Sequence, residues 1–138
     1  MTSPPRPPYG PALTLDQARR AALAAEAEAK KHGWRVAIAV VDPAGELMHF
    51  SRLDDTQFGS ISMAIKKAAC AARFRRSTSV FAAQFAAGDI GNLTLPGCVA
   101  YAGGEPIFAD GRVVGAIGVS GATADEDGVV ASAGAASI

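Results

Sequence analysis

The chain has 138 residues, of which 13 are basic and 13 acidic, and nearly half are apolar. That length fits one domain able to bury roughly two-thirds of its unfolded surface, and the charge balance argues against a nucleic-acid or membrane-surface partner. Only 7% of the residues are aromatic and alanine makes up the apolar surplus, so the core must be built from small side chains on closely spaced elements.

Residues 1–12, "MTSPPRPPYGPA", hold five of the eight prolines and read as a flexible or extended arm, either a tail or a strap across a neighbouring subunit. The sequence up to this point has no apolar signal-peptide core, so a cytoplasmic location is expected. Residues 13–138 form the single domain. The spacing predicts a helix over 14–33, with Thr14 and Gln17 as a capping box and Gly33 as its stop. Leu15, Ala18, Ala22, Ala25 and Ala29 fall on its buried face. "WRVAIAVV" (34–41) reads as a buried strand, far shorter than a membrane span. "DPAG" (42–45) reads as a type I turn, and "ELMHFSRL" (46–53) as the returning strand. Strict alternation puts Met48, Phe50 and Arg52 on one face and Leu47, His49 and Ser51 on the other.

A second helix is predicted over 60–76, with a stripe of Ile61, Ala64, Ile65, Ala68 and Ala72. A short third helix over 77–88 would pair Phe81 with Phe85, and "DIGNLTLPG" is loop-like. "CVAYAGGEPIFADGRVVGAIGVSG" (98–121) reads as three short strands, the last two joined by an Asp110-Gly111 hairpin turn. Gly115 and Gly118 interrupt the final strand. Their GxxGxxG spacing with Gly121 lacks the lysine of a phosphate loop, so they mark a close approach of other protein. Three positions apart, they should face opposite sides of the sheet: one the helix layer, the other solvent, a ligand or a partner. Thr123 and Glu126 predict a capping box for a last helix over 123–138. Two antiparallel hairpins with helices between them make an α+β layer, not an alternating nucleotide-binding sheet.

The densest polar cluster is "RLDDTQFGS" (52–60). Arg52, Asp54 and Gln57 stand there as ligand-binding candidates. Of the adjacent Lys66 and Lys67, about 100° apart on the helix, at most one points inward. His49, mid-strand, is a candidate ligand to haem iron or another metal; neither His49 nor His32 lies in a zinc motif. Cys70 and Cys98 have no CxxC partner and read as separate, reduced thiols.

"LTLDQA", "AIAVVDPAGEL", "SRLDDT", "KAACAA" and "GGEPIFADGRVVGAIGVSG" together resemble the GlcG/HbpS family of small haem-binding or haem-degrading-like proteins, also found as the C-terminal domain of PduO-type cobalamin proteins. The resemblance runs from about residue 13 to the C-terminus. It implies a profilin-like fold: a five-stranded antiparallel sheet, order 2-1-5-4-3, flanked by α-helices. It also implies homo-oligomers, from dimers to octamers. The family's R-x-D motif matches Arg52 and Asp54, and its K-A motif matches Lys67 and Ala68. The usual threonine two residues further on is Cys70 here. The function so implied is an oligomeric ligand-binding protein for haem or a related tetrapyrrole. Two alternatives stand beside it: a cofactor-independent lyase or isomerase of aromatic or organic-acid catabolism, using an Arg52/Asp54/Lys67 pocket, and a non-catalytic accessory protein.

Overall fold

The structure, a computed structural model, describes residues 5–138; the first four residues of the proline-rich arm lie outside the described part. Helix α1 (Leu15–His32) is followed by strands β1 (Ala37–Val41) and β2 (Leu47–Arg52), then by helices α2 (Gly59–Phe74) and α3 (Thr78–Ala86). A 3₁₀ turn (Ile90–Thr94), strands β3 (Gly104–Ala109) and β4 (Arg112–Ser120), and helix α4 (Ala124–Ala135) complete the chain. The four strands form one antiparallel sheet in the order β2-β1-β4-β3.

β1 sits mid-sheet and is buried throughout. Ile38 and Val40 face a core shared with α1 and α4, while Ala37, Ala39 and Val41 face α2. The α2 side is almost entirely alanine: Ala64, Ala68, Ala71 and Ala72 meet Ala37, Ala39 and Ala116. Small residues on both surfaces let α2 lie nearly on the strand backbone. A Cβ placed on Gly118 would collide with Ala64 O and with Ala68 N and Cβ of α2. The close approach at the glycine strand is therefore the helix itself. Gly115 is covered as well, because a Cβ there would lie 2.5 Å from both Leu13 Cδ2 and the Val41 carbonyl oxygen. The expectation that one glycine faces solvent, a ligand or a partner is corrected on this point.

Both capping boxes form, Thr14 with Gln17 and Thr123 with Glu126. Asp110 and Gly111 both take positive φ, 52° and 73°, as the two-residue hairpin requires. Four further expectations change. Leu15 is 45% exposed and Ala21 is buried in its place, because the helix turns its alanines to the sheet from the second turn onward. Met48 packs on the α1 side: a bulge at Val40/Val41 adds one residue to β2 and breaks its alternation. Phe81 pairs edge-on with Phe74, centroids 5.3 Å apart, while Phe85 stays exposed.

The largest change is that 98–103 forms no strand, so among the described residues the sheet has four strands rather than the five expected. Gly97 and Gly103 bracket this segment at φ 79° and 123°, a backbone hand that no strand keeps. The Val99 N–H is spent on a thiol, Cys70 Sγ at 3.3 Å. At the N-terminus, Tyr9 bridges Val113, and Gly10 and Leu13 donate to the Val113 and Val114 carbonyls at 2.9 Å. This segment extends the row of β1 along the same chain's β4.

Candidate functional site

One side of α2 forms a wall of two adjoining hollows. Met63, Lys66 and Arg73 recur with Cys70 at steps of three and four residues, so they share the side of the helix turned away from the sheet. Opposite them runs the strandless segment 97–101. It is held there by the Val99–Cys70 hydrogen bond and by Cys98 N donating to Leu95 O at 3.1 Å. Buried Asn92 anchors the 3₁₀ turn to α3 by donating to Phe81 O at 3.4 Å and to Gln84 Oε1 at 3.2 Å. The cleft between these walls has a volume of about 450 Å³ and is lined by Met63, Phe85, Leu93, Val99 and Tyr101 among others. Past Lys66 and Cys98 lies a second hollow of about 460 Å³, bordered by Ala69, Arg73 and Gly97. Phe85, Leu93 and Tyr101 are 44%, 66% and 62% exposed. Apolar side chains gathered this way on a surface mark a binding site.

Met63 and Tyr101 also border a smaller hollow of about 240 Å³, whose floor is an ion pair. Lys67 Nζ donates to Asp127 Oδ2 and to the Val119 carbonyl, both at 3.0 Å, and Ala122 N donates to Asp127 Oδ1 at 3.0 Å. Both side chains are almost wholly buried. Burial pushes the Asp127 carboxyl above its ordinary range, and Lys67 and the Ala122 N–H pull against that shift. The pair ties α2 to β4 and α4.

Of the residues singled out in sequence, Lys67 is the inward lysine and adjoins the cleft, while Lys66 is exposed at its border. Arg52 and Asp54 border a different depression, with Glu26, Lys30 and Trp34. The Arg52 guanidinium lies 5.5 Å from the centre of the Phe58 ring. Gln57 Nε2 donates to Ser60 Oγ at 2.9 Å, at the start of α2. Arg52 and Asp54 thus share one hollow while Lys67 borders another, and the carboxylate that meets Lys67 is Asp127. His49 is half-buried on the α1 side of β2, with Nε2 3.3 Å from Ser51 Oγ. His32 stacks on Trp34 and meets Glu28 at 2.8 Å. Neither imidazole lines the cleft. Sequence reasoning missed the cleft: Ile90, Leu93 and Leu95 crowd a stretch read as loop, an unusual load of apolar residues for solvent-facing chain, and Val99 and Tyr101 fell in a segment read as strand. Asp127 was hidden among the three acidic residues of the first turn of α4.

A family model described as "Haem degrading protein HbpS-like" matches residues 13–136. The chain is 37% identical over 108 residues to Protein GlcG of Escherichia coli, covering 78% of this chain and 81% of that protein. Among solved structures, HbpS of Streptomyces reticuli, as a double mutant, superposes with a TM-score of 0.83 at 38% identity, over 92% of this chain and 87% of that one. A PduOC:heme complex shares the fold, with a TM-score of 0.82 at 24% identity over 92% and 95% of the two chains. The matched span, the identity and the superposition agree: the chain belongs to the HbpS-like family.

Proposed function

We propose that this chain is a ligand-binding protein whose cleft, between α2 and the 97–101 wall, takes a flat, largely apolar molecule carrying carboxylates, of the haem or related tetrapyrrole class. The cleft carries this reading. Its walls are apolar, its volume falls in the range of small-molecule sites, and cations border its two hollows. Lys66 and Arg73 are placed to meet carboxylates. Tyr101, Met63 and Cys98 are donors of the kinds that ligate haem iron. The family's description as haem-degrading proteins supports the ligand class. When bound, haem would supply a redox-active iron; the residues of this chain would grip the ring and orient its carboxylates.

The test is a hemin titration followed by absorbance of the full chain. The purified protein is expected to be colourless, with added hemin giving a modest, saturable Soret shift. Tyr101→Ala combined with Lys66→Glu should weaken binding about tenfold or more, equivalent to about 1.4 kcal/mol, and His49→Ala should leave it unchanged. Wild-type affinity in the cleft variant, or loss of binding in His49→Ala, would overturn the assignment.

A further inference from the structure

Cys70 and Cys98 lie far apart in sequence, yet the fold brings them together. The Val99 N–H donates to Cys70 Sγ at 3.3 Å, which places that sulfur against the backbone one peptide unit from Cys98. The two thiols are near enough for each to influence the other's protonation. Cys70 is buried at the back, while Cys98 is half-buried and borders both hollows of the cleft. A cation lies in the neighbourhood of the two sulfurs: the Arg76 guanidinium, 5.0 Å from the centre of the Phe81 ring, with Nε donating to Phe74 O at 3.2 Å. A half-buried thiol with a second thiol beside its backbone is the arrangement of a cysteine and a resolving partner.

We propose that Cys70 and Cys98 form a reversible intramolecular disulfide when the protein meets a small hydroperoxide, making this pair a redox modification site in the cleft wall. The Cys98 thiolate attacks one peroxide oxygen. A sulfur–oxygen bond forms, the oxygen–oxygen bond breaks, and the departing hydroxide takes up the proton that Cys98 released. Cys98 is then a sulfenic acid. The Cys70 thiolate attacks its sulfur, the sulfur–sulfur bond forms, and the second hydroxide leaves with the proton from Cys70. Two thiols become one disulfide while one hydrogen peroxide becomes two waters; a dithiol reductant reverses the change.

Burial raises both thiols above their ordinary range, Cys70 up to about 11, and Arg76 only partly opposes this. Few thiolates are then present near neutrality, so the disulfide forms slowly. Once formed, its sulfurs are poor leaving groups and it resists reduction. The pair thus responds to sustained oxidation. The bond would fix segment 97–101 to α2, and it requires no ligand in the cleft.

The experiment treats the reduced full-length protein with hydrogen peroxide, alkylates it with iodoacetamide and reads the intact and peptide masses. The expected product has lost two hydrogens, takes no alkyl group on either cysteine, yields a linked Cys70–Cys98 peptide and returns to the starting mass with dithiothreitol. Hydrogen exchange across 97–101 should be slower in the oxidised protein. In Cys70→Ser, the peroxide product should stay on Cys98 as a sulfenic acid captured by dimedone. Two alkylatable thiols after the methionines have oxidised, or bonds formed only between chains, would overturn the proposal in the wild type without recourse to a variant. Unchanged exchange across 97–101 would overturn its effect on the wall.

Discussion

Gly118 is the residue on which the stacking of α2 depends. Its missing side chain leaves room for helix backbone, which cannot swing aside. Gly118→Ala should therefore overpack the interface and cost about 1–3 kcal/mol or more in urea unfolding. Gly115→Ala should also destabilise, through Leu13 and the Val41 carbonyl. Wild-type stability in both variants would mean that neither contact is tight. A second residue-scale effect comes from Cys70, whose thiol burial pushes from an ordinary 9.0 up to about 11. Folded protein then holds the proton more tightly than unfolded chain, so this stabilising difference is intact below pH 9 and is lost as pH rises towards 11. Under reducing conditions, the wild type should lose on the order of 2–3 kcal/mol more than Cys70→Ala across that window. Parallel pH profiles would show that the thiol is not held in its neutral form.

Helix α4 is fastened at its first turn by two devices that the sequence revealed unequally. The Thr123–Glu126 capping box is local, and spacing alone disclosed it. The Lys67–Asp127 pair joins residues on different helices, so nothing in the linear pattern separated Asp127 from Asp125 and Glu126 beside it. Breaking this pair should be costly because it leaves one buried charge without its partner. Asp127→Ala is expected to lower unfolding free energy by about 3–5 kcal/mol at neutral pH, and Lys67→Met/Asp127→Leu by clearly less. A double variant no more stable than the single would contradict a dominant desolvation cost. The same contrast explains the missing strand. Local signals located β1, β2, β3 and β4, because apolar runs and turn chemistry act between neighbours, although the bulge at Val40/Val41 overrode the alternation read for β2. Segment 98–103 has strand-like composition, but its glycine hands and its contact with Cys70 are set by packing on α2.

In the whole molecule, the sheet is covered by α1 and α4 on one face and by α2 on the other. Several large apolar side chains are left in the open: Phe85, Ile90, Leu93, Leu95 and Tyr101 around the α3 and 3₁₀ region, and Leu23, Leu47, Phe58 and Val129 elsewhere. A single small domain leaves these uncovered, so we expect self-association. Light scattering at micromolar concentration should give at least twice 14.0 kDa; a clean monomer would contradict this. The family was legible in the sequence because its two hairpins are short-range motifs, each contained in one stretch of chain. The cleft was not, because α2, α3 and segment 97–101 meet only in the folded chain. The most direct measurement is an amide NMR spectrum of the full chain with substoichiometric hemin, whose iron broadens nearby signals. Broadening centred on Met63, Phe85, Leu93 and residues 98–101 is the predicted result, and broadening centred on His49 and Ser51 would contradict it.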